Sequence, residues 1–553
     1  MTSSEKDKKK KKKRRILKWS LLVVFVAITA FTLYCVLFRP TLPQNRNIVP
    51  VQRIDIDKDF YKADNSWLLK NQHGLWEMYV EGEALERGNK IGVLSQELIA
   101  KQEKIFVEQI EKLLHSKLLA RFLRLGIGIY NRNLGEYIPE ENKEEIYAIS
   151  QYASPDYKWI GNNYQRIMNY HAAHDIGHAV QLMGFVGCST LGVWDEKTPD
   201  GNLLIGRNFD FYLGDKFAED KILLFVNPAK GHKHVFVTWG GMIGVVSGMN
   251  EQGLTIVINA APSSIPFSSA TPVSILAREI LQYAGNIDEA VAIANKRKIF
   301  VSEQFIIGSA KENKMVAIEK SKDKQRVYTS STNYLTCTNH FQNKDFLQEL
   351  ESKRTASGYR MNRMLELLDS TKTFSPQKMV DFLRDKKGLD GKDIGLGNEK
   401  SIDQLIAHHS IVFHPASKTL WISTRPYQEG AFLAYNLDSV FNNAANPPQK
   451  GFAMAKHIIN PDSDFLKNRF DAYGFYKRSV SIPVKLFKRD ISILLKSNPE
   501  NYHTYEYLGD YYVYKKDPTK AHEFYEMALK KEIPNIKQRV EITKKLNGIK
   551  VKD

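Results

Sequence analysis

The sequence predicts an α+β fold in which layered antiparallel sheets are covered by helices. Between about residues 188 and 430, apolar strand-like runs occur in pairs joined by turns, and helical runs are grouped between those pairs. The chain has 553 residues and 43% hydrophobic content, which is enough for sizeable cores. A disordered protein is therefore excluded.

A basic tail followed by a long apolar run predicts a membrane anchor at the N-terminus. Lys6 to Arg15 holds nine basic residues and one acidic residue, nearly half of the formal net charge of +17. Trp19 to Phe38 carries no charge and is long enough to cross the hydrocarbon at about 1.5 Å per residue. A cleavable signal peptide is the alternative, disfavoured by the length of the run and the lack of an Ala-x-Ala site.

The same charge pattern predicts the topology and the partners of the tail. Because basic residues stay cytoplasmic, a tail at 1–18 and a transmembrane helix at 19–38 predict a single-pass cell-membrane protein. The catalytic part would then lie on the extracytoplasmic (periplasmic) side. Nucleic-acid binding is not predicted, because the lysine block lies beside the membrane and meets anionic lipid there.

Residues 39–62 are predicted to form a linker, and residues 63–187 a helical segment that begins near Ser66. Three histidines in this segment share one helical face, and with a second pair downstream their spacing can bind a metal. Packed histidines are the preferred interpretation, since no HExxH pattern is present, and no metal or other cofactor is expected. The histidines are His171, His174 and His178, with His408 and His409 as the downstream pair.

A lone cysteine, Cys188, begins the first predicted hairpin. A Pro-Asp-Gly turn ending at Gly201 joins its apolar run to a second run that ends in Gly-Arg-Asn-Phe-Asp. Arg207 and Asp210, three residues apart, can converge near the thiol as a cation and an anion. A buried structural cysteine beside a solvated ion pair is the alternative. With only three cysteines, a disulfide framework is excluded.

Further polar residues follow at the ends of later predicted elements. Asn259 lies where the strand after a second hairpin turn ends, and Asn339 follows the apolar run Tyr-Leu-Thr-Cys. Ser357, Arg360 and Arg363 lie on the first turns of a predicted helix. These side chains are candidates for the same site as the thiol.

Five motifs occur in a fixed order between about residues 75 and 430: Gly-Cys-Ser-Thr, Gly-Arg-Asn-x-Asp, Gly-Met-Asn-Glu-x-Gly-Leu, Thr-Asn-His-Phe and Ser-x-x-Arg. This succession resembles the N-terminal-nucleophile (Ntn) hydrolases of the penicillin (isopenicillin N / 6-aminopenicillanate) acyltransferase type. These are relatives of the choloylglycine hydrolases. The resemblance implies a four-layered αββα sandwich at 188–445, preceded by a pro-segment that stays bound after cleavage.

The resemblance also implies a mechanism, in which the chain cuts itself between Gly187 and Cys188. The freed α-amine of Cys188 titrates near pH 7.7–8.0 and can serve as the base for the thiol beside it. By resemblance, Asn339 holds the oxyanion, and Asn259 is a further candidate for this role. Asp210 orients the amine, and Arg207 stabilises the thiolate. Arg360 completes the polar network, with Arg363 as the competing choice.

The predicted function is a membrane-anchored, autoprocessing hydrolase or acyltransferase that acts on a linear amide through an acyl-Cys188 intermediate. The residues leave open whether water or an amine resolves this intermediate, and which small-molecule or lipid-like amide is the substrate. The alternative is a non-catalytic membrane-anchored envelope scaffold. The intact Cys, Arg, Asp and Asn set argues against it, since a scaffold does not need these side chains.

Residues 480–553 are predicted to form a separate helical segment that resembles one tetratricopeptide (TPR) repeat. One repeat cannot bury its own apolar face, so it should dock on a neighbouring helix, and it can also bind a protein partner. An ordinary helical hairpin is the open alternative. The matching positions are Tyr505, Leu508, Gly509, Tyr512, Ala521, Tyr525 and Ala528.

Overall fold

A computed structural model describes residues 3–37, 41–114, 127–128, 131, 133–172, 175, 187–263, 269–346 and 355–549. Within these ranges, strands and helices are both abundant, in agreement with an α+β class. The strands are β1 Ile54–Asp57, β2 Phe60–Ala63, β3 Ser66–Lys70, β4 Trp76–Gly82, β5 Ser189–Asp195, β6 Gly201–Asp210, β7 Ile222–Pro228, β8 His234–Thr238, β9 Ser247–Asn250, β10 Leu254–Ala260, β11 Glu303–Ser309, β12 Lys314–Lys320, β13 Gln325–Thr329, β14 Tyr334–Cys337, β15 Ala407–His414, β16 Thr419–Ser423 and β17 Phe432–Asn436.

The helices precede, separate and follow these strands. They are α1 Ser3–Leu37, α2 Ala84–Leu114, α3 Leu134–Tyr137, α4 Glu140–Ser150, α5 Asn163–His171, α6 Val273–Tyr283, α7 Ile287–Lys296, α8 Ala356–Ser370, α9 Pro376–Leu383, α10 Leu437–Asn443, α11 Ser463–Phe465, α12 Asp471–Val480, α13 Ile491–Ser497, α14 Tyr502–Tyr514, α15 Pro518–Leu529 and α16 Ile536–Asn547.

The described strands form two sheets. The larger has eleven strands in the order β1-β2-β3-β4-β7-β8-β9-β10-β11-β12-β13, and the smaller has six in the order β14-β5-β6-β15-β16-β17. In the larger sheet, β4 and β7 pair in parallel, which joins the N-terminal strands to the rest. The smaller sheet is antiparallel throughout and carries the hairpin that begins next to Cys188.

The prediction of a linker followed by helix is wrong for residues 54–82, which form β1 to β4. In β3, Trp67, Leu68 and Leu69 are consecutive and all buried. Leu68 contacts the core on the helix side of the sheet, whereas Trp67 and Leu69 contact the core on the opposite side. A strand buried on both faces lacks polar alternation, so its sequence cannot be told from that of a buried helix.

Three apolar cores set the order of the layers. One lies between the two sheets and includes Ile205 of β6 and Val257 of β10. A second lies between the larger sheet and helices that include α2, α4 and α6. A third lies on the outer face of the smaller sheet, where Met364 of α8 and Val380 of α9 pack on Leu191 of β5. Each sheet therefore has one face toward the other sheet and one toward helices.

The described N-terminal helix contains a stretch, Lys13–Leu33, that is long and apolar enough to cross a membrane, with a mean hydropathy of 2.2. None of that stretch is buried against the rest of the chain. It overlaps the predicted transmembrane helix at 19–38 over most of its length.

The C-terminal helices pack on each other and on the preceding segment. Leu494 of α13 shares an apolar core with Leu508 of α14 and with Phe487. Gly509 of α14 lies against Tyr525 of α15, and a Cβ at position 509 would lie 2.4 Å from the tyrosine ring. The helical content agrees with the predicted segment, whereas its resemblance to a TPR repeat stays a prediction.

Candidate active site

The hairpin predicted at Cys188 consists of β5 and β6. The strands pair antiparallel, with Thr190 opposite Arg207, and Gly201 at the start of β6 has a φ of +73°, a conformation that favours glycine. The Gly187 N–H donates a hydrogen bond to the backbone oxygen of Asp210 at 3.1 Å. The pairing therefore continues past Cys188 and brings it level with the end of β6.

The Cys188 thiol lies beside the Arg207 guanidinium. Its Sγ is 3.6 Å from Nη2 of Arg207. The thiol is only 1% exposed and the arginine is fully buried. Burial raises the pKa of the Cys188 thiol, and the charge of Arg207 opposes this rise. The pair of cation and thiol predicted from the sequence is thus present in the structure.

Arg207 is held by the larger sheet. Its Nη1 donates to the backbone oxygen of Val246 at 2.8 Å and to Oγ of Ser247, and its Nη2 donates to the backbone oxygen of Ile258. The guanidinium also lies over the Phe209 ring, 4.4 Å from the ring centre. Because these contacts come from β9, β10 and β6, the position of the cation is fixed by both sheets.

The histidines considered as metal ligands have other partners. Nε2 of His409 is 2.8 Å from Oγ of Ser247, and its Nδ1 is 2.9 Å from Nδ1 of His408. Burial holds the pKa of both rings well below the usual value, so both are neutral. His171 donates from Nδ1 to the Ile167 oxygen and accepts from the Ile243 N–H, so both ring nitrogens are used.

His174 and His178 lie outside the residues that the structure describes. Among those it does describe, no group of three or more histidine, cysteine or acidic side chains is arranged to hold a metal ion.

Asp210 ends β6 with one carboxyl oxygen unpaired. Oδ1 has no hydrogen-bond partner in the described part of the chain, and Oδ2 is 3.5 Å from Nε2 of Gln404. Burial raises the pKa of this carboxyl group well above its usual value. A buried oxygen without a donor is unfavourable, and an ammonium group placed next to it would supply the missing hydrogen bond.

Arg360 and Asn339 form the second half of the site. Nη2 of Arg360 donates to Oδ1 of Asn339 at 2.6 Å, and Nδ2 of Asn339 donates to the Ala260 oxygen at 3.0 Å. These two bonds fix which way the amide faces. Burial lowers the pKa of Arg360, and the charges of Asp210 and Cys188 oppose that shift, which places Arg360 within their electrostatic reach.

The competing arginine, Arg363, does not contact these residues. It pairs with Asp385 through two hydrogen bonds of 2.9 Å and with Glu366 at 2.8 Å. Ser357 lies on the site side of the same helix, where its Oγ accepts from the backbone N–H of Asn339 at 2.8 Å. The structure therefore favours Arg360 over Arg363.

Asn259 lies on the larger sheet beside the start of β5. Its Nδ2 is 3.3 Å from Oγ1 of Thr190 and 3.4 Å from the backbone oxygen of Cys337. It links the two sheets near Cys188, and its Nδ2 group has both of these partners. Among the described residues, the Nδ2 group of Asn339 has one partner, the Ala260 oxygen.

Gln404 is a site residue that the sequence did not reveal. Its Nε2 donates to the backbone oxygen of Gly187 at 2.7 Å, and the side chain is 2% exposed. It lies on an irregular segment between α9 and β15, where no periodic pattern or motif marks it. Ser247, which contacts Arg207, was also missed, although it begins β9 and directly precedes the Gly-Met-Asn motif.

Part of the chain matches a known family. Residues 196–425 match the model of the family described as AAT, acyl-coenzyme A:6-aminopenicillanic acid acyl-transferase. The match begins after Cys188 and includes Arg207, Asp210, Asn339 and Arg360. This stretch is therefore similar to the acyltransferase type of Ntn hydrolase whose motifs the sequence resembles.

Two curated proteins are similar in sequence. An uncharacterized protein from Archaeoglobus fulgidus is 27% identical over 314 residues, which are 54% of this chain and 52% of that protein. Protein dcd1B from Dictyostelium discoideum is 24% identical over 281 residues, which are 47% of this chain and 53% of that protein. The chain thus spans about half the length of the curated relatives it matches.

Two solved structures are similar at low identity. One is a Caenorhabditis elegans ortholog of N-acylethanolamine-hydrolyzing acid amidase, with 18% identity, a TM-score of 0.31 and coverage of 41% of this chain and 93% of that one. The other is a variant of the conjugated bile acid hydrolase from Clostridium perfringens, with 11% identity, a TM-score of 0.32 and coverage of 49% and 96%.

Proposed function

We propose that this protein is an autoprocessing cysteine hydrolase or acyltransferase of the Ntn type, with the αββα fold of that class. It would cut its own chain between Gly187 and Cys188 and then act on a linear amide through an acyl-Cys188 intermediate. The observation that carries this proposal is the arrangement at the end of the first hairpin. There a thiol lies 3.6 Å from an arginine, and the residue before it pairs with Asp210, whose buried Oδ1 has no donor among the described residues.

Each of these groups has a use after cleavage. The new α-ammonium of Cys188 would lie near Asp210 and donate to its unpaired Oδ1. Arg207 would stabilise the thiolate, and the free N–H of the Asn339 amide would donate to the oxyanion of the substrate. The match of residues 196–425 to an acyltransferase family supports this assignment of the reaction class.

The burial of Cys188 suggests that cleavage also opens the site. At 1% exposure the thiol is out of reach of a substrate while Gly187 remains attached to it. We therefore expect a thiol probe to label Cys188 only in the cleaved form of the protein. Cleavage would free the carboxyl end at Gly187 to move away from the sulfur.

The exposed apolar stretch Lys13–Leu33 supports anchoring to a membrane. We place the catalytic part on the extracytoplasmic side, because the basic tail precedes the apolar run. Such an anchor favours a lipid-like or envelope-derived amide as substrate. The helical segment at 480–553 is proposed as a site for a protein partner.

The test of this function is a combined mass measurement and labelling experiment on purified full-length protein. We expect a new N-terminus at Cys188, and we expect iodoacetamide to alkylate that residue in the cleaved protein but not in the intact chain. A protein that stays uncut and whose Cys188 does not react with iodoacetamide would contradict the assignment as an enzyme. The non-catalytic envelope scaffold would then be the remaining alternative.

Replacing Arg207 with methionine should raise the pKa of the Cys188 thiol, because a cation 3.6 Å from the sulfur favours the thiolate. At pH 7 the thiolate fraction falls, so we expect self-cleavage to slow by at least about tenfold, since one pKa unit is tenfold in thiolate. The rate should recover as the pH rises. Arg207→Lys should retain part of the wild-type cleavage rate at pH 7, because it keeps a cation at this position.

The measurement is the pH profile of cleavage of freshly translated protein. Arg278→Met is the matched control, because Arg278 is also fully buried and lies 5.2 Å from the Phe236 ring, but does not contact the thiol. Arg278→Met should lower the free energy of unfolding but leave the pH profile of cleavage unchanged. An Arg207→Met profile that coincides with that of the wild type would remove Arg207 from this role.

A further inference from the structure

The peptide bond before Cys188 has a side-chain donor on its carbonyl oxygen. Nε2 of Gln404 donates to the Gly187 oxygen at 2.7 Å. Gln404 is 2% exposed, so water does not compete for this bond. This donor therefore already contacts the oxygen on which negative charge would develop, and an oxyanion hole is built from donors aimed at that charge.

We propose that Gln404 is the oxyanion donor of the self-cleavage reaction, a role that rests on the proposed function. It is distinct from Asn339, which we assign to the oxyanion of the substrate. Gln404 contacts the reacting peptide itself, and its oxygen partner belongs to the segment that is cut away. The protein would thus have one donor for processing and another for turnover.

The step is an acyl shift followed by hydrolysis. Sγ of Cys188 bonds to the carbonyl carbon of Gly187, and the carbonyl oxygen takes up the negative charge that Gln404 stabilises. The C–N bond between Gly187 and Cys188 then breaks, and the thiol proton ends on the departing nitrogen as the new α-amine. Water hydrolyses the resulting thioester, which yields the Gly187 carboxylate and the free Cys188 thiol.

The glycine at position 187 is explained by the same contact. A Cβ at this position would lie 2.2 Å from Nε2 of Gln404. Since a glutamine amide is the flexible end of a side chain, the expected result of a larger residue is displacement of the amide from the carbonyl oxygen rather than collapse of the fold. Only glycine lets the donor reach the peptide.

The backbone next to Gln404 is held in a strained conformation. Leu405 has a φ of +53°, which is unfavourable for a branched side chain. Its N–H donates to Oδ1 of Asp403 at 2.9 Å, and Gln428 donates to the same oxygen. Lys386 pairs with Asp403 at 2.9 Å. These contacts maintain a backbone conformation that presents Gln404 to Gly187.

The test compares the cleavage rates of full-length variants made by cell-free translation in detergent micelles and followed on denaturing gels. Gln404→Met keeps the length of the side chain but removes the donor, and we expect its rate constant to fall about 10²-fold. Gly187→Ala should slow cleavage at an unchanged melting temperature. Gln282→Met is the matched control, because Gln282 is buried and donates to the Lys230 oxygen at 2.9 Å, far from Cys188 in the sequence.

The outcomes separate this inference from the function on which it rests. Slow cleavage of Gln404→Met and Gly187→Ala, with rapid cleavage of Gln282→Met, supports the role of Gln404. Cleavage of Gln404→Met and Gly187→Ala within threefold of the wild type overturns that role and leaves the proposed function intact. A wild-type chain that is never cut overturns both. If Gln404→Met has a lower melting temperature than the wild type, the cleavage rate of Gly187→Ala alone decides whether Gln404 has this role.

Discussion

Replacing Cys188 with alanine should leave the 553-residue chain intact, whereas the wild type should separate on a denaturing gel into fragments 1–187 and 188–553. The expected effect is complete loss of cleavage, because the thiol is the only group in the proposed mechanism that attacks the Gly187 carbonyl carbon. Cys188→Ser should be cut more slowly, since a hydroxyl is less readily ionised than a thiol.

Cys337 provides the matched control for this variant. It is also buried and free, and burial raises the pKa of its thiol, but its sulfur lies 3.6 Å from Gln342 rather than next to an arginine. Cys337→Ala should be cleaved at the wild-type rate. Cleavage of Cys188→Ala before residue 188 would mean that another group, or a contaminating protease, cuts the chain.

The sequence predicts the residues of the first hairpin well because their relation is local. Cys188, Arg207 and Asp210 belong to two strands joined by a short turn, and antiparallel pairing brings the thiol level with the carboxyl group. Asn339 and Arg360 come from a strand end and a helix start, and motif order linked them to the hairpin. In the structure they bond to each other at 2.6 Å.

Other features could not be predicted, because they depend on contacts between segments far apart in sequence. Gln404 lies 217 positions from Gly187, on a segment without periodicity. Among the strands β1 to β4, for which the sequence predicts linker and helix, β3 is buried on both faces, and this removes the alternation that identifies a strand. In both cases the tertiary environment determines the structure or role of the residues.

The C-terminal helices support the segment that carries Gln404. Nδ2 of Asn398 donates to the Glu532 backbone oxygen at 2.9 Å, and Lys400 pairs with the carboxylate of Glu532 at 2.8 Å. Between these two residues lies Glu399, whose backbone oxygen accepts from Arg360 at 2.8 Å. The C-terminal segment therefore helps to position two parts of the candidate active site.

Replacing Asn339 with aspartate should reduce turnover by about 10²-fold or more while self-cleavage continues. The aspartate keeps an oxygen for Arg360, which bonds to Oδ1 at 2.6 Å in the wild type, but it loses the Nδ2 donor and adds negative charge where the oxyanion forms. Asn339→Ala should lose the donor without the added repulsion, and its turnover should fall less. The measurement is the turnover number on a fluorogenic N-acyl amide that the wild type hydrolyses.

The control for position 339 is Asn250→Ala, which removes a buried asparagine at the end of β9. Nδ2 of Asn250 donates to the oxygens of Leu281 and Ala284 at 2.9 and 2.7 Å, so its loss should lower the melting temperature without a comparable fall in turnover. Wild-type turnover in both Asn339 variants would remove this residue from the oxyanion site. The remaining amide there, Asn259, would become the donor to test, because it links both sheets near Cys188.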